Sequence, residues 1–413
     1  MKIVTLGCSP YLLTSFGKLH SWIIQHLHNK CDALAVLAHS HDASYFVPEV
    51  HEGHTCFFYK FDDQFIPLFP FQKGKNEEQQ SEVVQLYEII RLLKPDLIIT
   101  VDDAESTYHM QALKTYLPDQ FKWLAVVLNG ALPIKKETTS VLEQADAILC
   151  TNRFTHDYLN DFANCRTVAW NYVGVDVEKF YNQAKRPNGF NVFCSAKNAF
   201  KDCLPLILES SQVVSEAMAD FRLNLHTNKD DSGLYDLDFF KEQFDPGGQF
   251  LRMTEGYSSL KKGYNEQEMN EKLNESHLFL SASMVSATSM GVFEALAAGC
   301  LPILNKQGTD KEIMILLKDF LSKNHYYYYN DMLIESLPFW AAGEKRVRIP
   351  LVDSISKMLL SVKTVIEIKK IQKRFSEIIS LFSNEFSRDK FLHKVDDLID
   401  ETIKNDEKVF TLD

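Results

Sequence analysis

The segment 282-ASMVSATSMGVFEALAAGCLPIL-304 runs from a loop of small hydroxyl residues into an apolar helical pattern holding a single acid, Glu294. A helix leaves the N–H groups of its first turn unpaired and carries a positive dipole end there, which suits a phosphate. The pattern starts the helix near Met290. Thr288 and Ser289 then stand where they can cap it or donate to an anion, and Gly291 leaves room for a ligand to approach. Glu294 falls one turn in, where a carboxylate can accept two hydroxyls side by side, as a ribose diol offers. The alternative on the same residues is a Ser289 cap and a solvated Glu294.

A second group lies earlier. Asp102-Asp103 follows the apolar run Leu97–Val101, with Glu105 two residues on. The carboxyl end of such a strand is where an α/β unit presents chemistry, so Asp102, Asp103 or Glu105 can orient a substrate hydroxyl. A polar strand end or helix cap is the plainer alternative. His39-Ser-His41-Asp42 and His51-Glu-Gly-His54 contain ligand-type residues, but their spacing matches no strong metal pattern, and loop histidines are the expectation.

These residues need elements to hold them. Strands are expected at Ile3–Leu6, Ala33–Ala38, Thr55–Tyr59, Asp96–Val101, Trp123–Leu128 and Ala147–Cys150, with helices at Phe16–His28 and Glu77–Leu93. After Pro/Gly-containing polar sequence around 172–190, a second alternation begins. It has strands at Phe190–Cys194, Arg222–His226, His277–Ser281 and Leu301–Leu304, helices at Leu204–Ala217 and Glu266–Asn274, and near-continuous helix from Leu351 to Asn405. Tyr326–Tyr329 reads as a half-buried strand. Alternating strands and helices imply parallel βαβ units. The expected fold class is therefore α/β with two Rossmann-like lobes across a cleft and C-terminal helices. Expected boundaries are 1–180, 181–385 and 386–413, the last a helix returning to the first lobe.

Composition agrees with a water-facing globular chain: 413 residues, 45% apolar and 24% charged. The net charge of −12 disfavours a surface built mainly to grip nucleic acid. Lys261-Lys262, Lys369-Lys370 and Lys373-Arg374 are local basic pairs that leave contact with a polyanion or lipid headgroups open. No signal peptide pattern opens the chain, and the uncharged run Leu278–Phe293 is too short to span a bilayer. Eight scattered cysteines without C-x-x-C imply free, mostly buried thiols in a reducing, cytoplasmic setting.

Several segments together resemble GT-B fold retaining glycosyltransferases, especially glycosyltransferase family 4. Glu294-Ala-Leu-Ala-Ala-Gly299 with Leu301-Pro302 is similar to the second half of the family's donor motif, in which one Glu is followed eight positions later by another. Here Ser286 stands where the first Glu is expected. Gly174-Val-Asp-Val-Glu-Lys-Phe180 is similar to the interdomain G-V-D-x-x-x-F signature, Ala145–Asn152 to the segment closing the first lobe, and Gly308–Glu312 to the stretch after the donor helix. The resemblance implies that Glu294 holds a nucleotide ribose and that Lys197 and Lys201, in Asn191–Asp202, hold the donor diphosphate. It also places His226 and Tyr264 in nucleotide-side loops, and Ser15 and Gly17 in a loop by the phosphates. Asn129 stands where many members have a His, and Asn cannot serve as a general base.

The implied function is a retaining transfer of a hexosyl or pentosyl group from a nucleotide-diphosphate sugar of UDP or GDP type. The acceptor would be a hydroxyl on a carbohydrate, and no metal or other cofactor is required. A glycosyltransferase acting on a modified DNA base and a non-catalytic sugar-nucleotide-binding protein are the alternatives. A nicotinamide-dependent oxidoreductase is disfavoured, because no G-x-G-x-x-G follows the first strand.

Overall fold

The computed structural model describes residues 1–407 apart from Leu13, 41–47, 52–53, 72–78, 185–187, 229–233, 255–262, 325–332, 341–345 and 367–368. The expected tyrosine strand, the Lys261-Lys262 pair, His41, Asp42, Glu52 and Gly53 lie outside the described residues.

The chain divides into two compact units. The first comprises residues 1–129, 134–172 and 391–413; the second comprises 130–133 and 173–390. In the first unit the strands are β1 (Lys2–Cys8), β2 (Ala33–His39), β3 (Glu49–His51), β4 (His54–Phe61), β5 (Gln64–Pro70), β6 (Leu97–Asp102), β7 (Lys122–Val127), β8 (Ala147–Cys150) and β9 (Val168–Trp170). They form one sheet in the order β3-β4-β5-β2-β1-β6-β7-β8-β9. Pairing is parallel from β5 through β9, and β3-β4-β5 is antiparallel. Helices cover the sheet, so β6 and β8 are buried at every position and read as unbroken apolar runs rather than alternation.

The second unit holds β10 (Phe190–Ser195), β11 (Phe221–His226), β12 (Leu251–Met253), β13 (Leu278–Ser281), β14 (Leu301–Asn305) and β15 (Leu333–Ile334). All are parallel, in the order β12-β11-β10-β13-β14-β15. A separate antiparallel pair, β16 (Ser336–Trp340) and β17 (Arg346–Pro350), follows. Helices Val352–Ile366 and Lys369–Ser383 then complete this unit.

The expected strands and helices form, with ends displaced by a residue or two. The additions are instructive. β5 contains Pro67 and Pro70, which argue against a paired interior strand. It is nonetheless held between β2 and β4, because Ile66, Leu68 and Phe69 are almost wholly buried. β9, β12 and β15 have three, three and two residues, too few to show a period.

The 174-GVD-176 stretch has a physical reason. Gly174 sits at φ +73° against the Phe386 carbonyl, where any Cβ would collide. Val175 N–H donates to Phe386 O at 3.0 Å, and Arg388 N–H donates to Val175 O at 2.8 Å. Asp176, buried, pairs with Arg388 at 2.5 Å.

The last helix, Arg388–Glu407, buries Phe391, Leu392, Val395, Leu398 and Ile399, and from Phe391 onward it belongs to the first unit. There Asp396 meets His26 at 3.0 Å and Lys30 at 2.6 Å. Phe391 is fully buried. We expect Phe391→Ala to lower stability by about 3–5 kcal/mol through lost burial and the cavity it leaves. Urea unfolding measures this, and an unchanged midpoint would show that the helix contributes nothing to the unit's core.

Candidate functional site

In the second unit, the loop 282–289 joins β13 to the Met290–Ala297 helix. Gly291 and Glu294 are its only residues that are not buried, so one narrow stripe three residues apart faces outward. Ser289 is the N-cap, at φ +49°, ψ +31°, and makes no side-chain cap. Its hydroxyl is turned instead to Asp310 Oδ1 at 2.5 Å and to Ser286 Oγ at 2.7 Å. Ser286 Oγ lies 2.6 Å from the same carboxyl oxygen. Of the two roles open to Ser289 from sequence, helix cap or anion donor, the first is therefore not taken.

Asp310 is deeply buried, and burial, partly opposed by Ser286, Ser289 and Ser281, pushes its carboxyl up to about 6. It comes from the next helix, Gly308–Lys323, which is bolted to the loop. Thr309 N–H donates to Ser286 O at 3.1 Å, and Thr309 Oγ1 donates to Ala287 O at 2.9 Å. Gly308, at φ +53°, passes so close that a Cβ would lie 2.5 Å from Ser286 O and 2.9 Å from Gly130 O. Thr288 is buried beside these groups.

Lys197 and Lys201 lie in the loop after β10 and are both exposed. That loop is tied to the 282–289 loop: Met284 N–H donates to Lys201 O at 2.7 Å, and Ser283 hydrogen-bonds Asp202. Buried Asn198 fixes its other side, accepting from Tyr235 N–H at 3.1 Å and donating to Tyr235 O at 2.9 Å. Burial raises the Asp202 carboxyl, while Lys201 and Lys197 pull it down. The two lysines thus stand on a loop tied to the one that leads into the helix.

His226, the last residue of β11, stacks on Tyr264 with ring centroids 4.7 Å apart and planes 16° from parallel. Phe193 lies behind it at 6.4 Å. Ala196 N–H donates to His226 O, so this stack adjoins the Lys197 loop. Burial pushes the His226 imidazole down to about 4, leaving a neutral ring at physiological pH. Tyr264 is half-buried.

The remaining sequence candidates belong to the first unit. Asp102 is buried at the end of β6, with Oδ2 2.6 Å from His39 Nε2. Asp103 Oδ1 accepts from Ser106 N–H at 2.8 Å and caps the turn Ala104–Thr107, on which Glu105 is exposed. Asn129 is buried; it donates to Thr155 Oγ1 at 3.3 Å and accepts from Asn152 Nδ2 at 2.8 Å. Ser15 starts the helix Ser15–Leu27, whose Thr14 cap accepts from Gly17 N–H at 3.2 Å. A Cβ on Gly17 would lie 2.7 Å from Ser9 O, so the turn itself requires glycine.

His39 is not a loop histidine. It ends β2 and is buried against Asp102. His20 joins this cluster, donating through Nδ1 to Cys8 O at 2.7 Å, and burial pushes it down to about 4. Sequence reasoning also missed Asp310, Asp202 and Asn198 as partners of the loops. Asp310 sits within the quoted Gly308–Glu312 stretch, but only the fold reveals which serines it meets. Among the described residues no group of three or more His, Cys, Asp or Glu side chains is arranged to hold a metal ion. No described helix is long and apolar enough to cross a membrane, and all eight cysteines are free thiols.

Two α/β sheets, each dominated by parallel strands and followed by C-terminal helices, define the GT-B fold. Sequence comparison finds no matching family model and no matching curated protein. Solved structures do match over nearly the whole chain. Sucrose-phosphate synthase from Thermosynechococcus elongatus is 10% identical, with 98% of this chain and 100% of that one covered and a TM-score of 0.71. The pneumococcal O-GlcNAc transferase GtfA, in complex with UDP and GlcNAc, is 8% identical, with 98% and 99% covered and a TM-score of 0.65. A trehalose-6-phosphate synthase, solved to study glycosyl transfer with retention, is 9% identical, with 98% and 99% covered and a TM-score of 0.66. At these identities the likeness establishes the fold.

His20 and His226, whose imidazoles burial pushes down, make stability pH-dependent. Unfolded, each takes up a proton below about 6.5; folded, only near 4. Their contribution to stability is therefore full above 6.5 and is lost as pH falls toward 4, opposite in sign to that of Asp310. His226→Phe keeps the ring stack and removes one of the two protons, so the fall in unfolding free energy over that window should become shallower. A slope equal to wild type would assign the effect elsewhere.

Proposed function

We propose that the chain is a retaining glycosyltransferase that moves a sugar from a nucleotide-diphosphate sugar to an acceptor hydroxyl on a carbohydrate. The observation that carries this is the Met290–Ala297 helix, whose N-cap makes no side-chain cap and whose one outward stripe ends in Glu294. Exposed Lys197 and Lys201 stand on a loop hydrogen-bonded to the segment leading into it.

In this reading the second unit binds the donor. The helix N-terminus and the two lysines take the diphosphate, Glu294 takes the ribose diol, and Tyr264, backed by His226, offers a flat face to the base. Breaking the bond from the anomeric carbon to phosphate builds positive charge on the sugar and negative charge on the leaving diphosphate. Cations and backbone N–H groups already in position stabilise that charge without reorganising. The leaving phosphate can itself accept the acceptor's proton, so Asn129 in place of a base does not block the reaction. The first unit supplies the acceptor side, with Asp102, held by His39, and Glu105 as the carboxylates for a sugar hydroxyl. Relatives of this fold solved with UDP favour a UDP-type donor.

A thermal-shift series across nucleoside diphosphates and their sugars tests the reading. At least one should stabilise the protein, by about 2.7 kcal/mol at a hundredfold excess over Kd. Glu294→Ala should abolish that shift. Lys197→Ala and Lys201→Ala should each lower turnover about 100- to 1,000-fold, as loss of a transition-state donor does. Binding with no transfer or donor hydrolysis would instead identify a non-catalytic sugar-nucleotide binder.

A further inference from the structure

Asp310 Oδ1, Ser286 Oγ and Ser289 Oγ form a triangle with edges of 2.6, 2.5 and 2.7 Å. Each edge is a hydrogen-bond distance, so each needs a hydrogen. Two serines supply two. With Asp310 ionised, one edge would be a bare contact between oxygens. With its carboxyl protonated, the three oxygens close a ring in which each donates once and accepts once.

The surroundings agree. Asp310 is 2% exposed. The hydrogen bond from Ser281, at the end of β13, favours the charged form, but the charged group acting on Asp310 is Asp202, which is also an acid. Lys197 and Lys201 act on Asp202. Burial and a like charge both oppose ionisation.

We infer that Asp310 carries a proton when the anionic donor is bound and acts as a positioning residue for that donor. The inference rests on the donor reading of the Met290–Ala297 helix. The protonated ring does two things. It draws the Ser289 hydroxyl inward, holding the N-cap in its left-handed conformation, so the helix's first N–H groups receive no side-chain cap. It also keeps a carboxyl next to the diphosphate neutral, removing a repulsion that a dianion would otherwise meet. A donor that prefers neutral Asp310 must, by linkage, bind with uptake of a proton when the resting carboxyl is partly ionised.

UDP-glucose suits the test, because its diphosphate diester has no proton to lose between about pH 5 and 8. Calorimetric titration in buffers of different ionisation enthalpy should show proton uptake on binding. Kd should weaken with rising pH, approaching tenfold per unit once the free carboxyl is ionised. Asp310→Asn, neutral at every pH, should bind with near-constant Kd, with kcat following occupancy. A donor-free arm reads the carboxyl directly: difference infrared spectra at about pH 5 should show a protonated-carboxyl band in wild type that D310N lacks. Absence of that band overturns the protonation. A band with a pH-independent wild-type Kd, or a D310N variant that keeps the slope, overturns the positioning role. A band with no nucleotide sugar bound by wild type overturns the donor reading, and with it the role assigned here. The wild-type calorimetry stands whether or not the variant folds.

Discussion

The second unit's candidate site depends on where one serine hydroxyl goes. An N-cap serine normally folds its side chain over the first turn and satisfies an N–H from outside. Ser289 adopts the left-handed region and spends its hydroxyl inward on Asp310. A short helix then begins with its positive end undressed by any cap of its own. The strain of a non-glycine residue at φ +49° persists because neighbours over-determine it. Asp310 holds the side chain, and Thr309 holds the Ser286 and Ala287 carbonyls.

That arrangement needs close backbone approach, which explains the glycines. Gly308 lets the Gly308–Lys323 helix pass against the Ser286 carbonyl, and a Cβ on Gly130 would lie 2.5 Å from Val285 Cγ1. Gly291 differs: a Cβ there would meet only Phe279, at ordinary contact distance. Among the described residues, nothing in the packing requires glycine at that position.

Most of the fold was legible from residue patterns. Continuous apolar runs such as Leu97–Val101 announce strands covered on both faces. What escaped was set by tertiary context. β5 carries two prolines, and only the burial of its alternate side chains between β2 and β4 makes it a strand. Site residues divided the same way. The loop and helix with Glu294 could be read locally because cap, glycine and acid are neighbours in sequence. His39 and Asp102 are 63 positions apart, and Ser286 and Asp310 are 24 apart. Such pairings are created by strand order and helix return, and no local pattern encodes them.

A chain of net charge −12 is a poor anion binder on average, so any site for a diphosphate must be locally different. The acids closest to the loop, Asp202 and Asp310, are both withdrawn from water, and burial works against their ionisation. The cations Lys197 and Lys201 remain exposed, where their long side chains can reach a ligand. Burial thus opposes negative charge on these carboxyls while the lysines are displayed outside. Distant surface acids are screened within about 10 Å at ordinary ionic strength, so the charges nearest the helix end weigh most there.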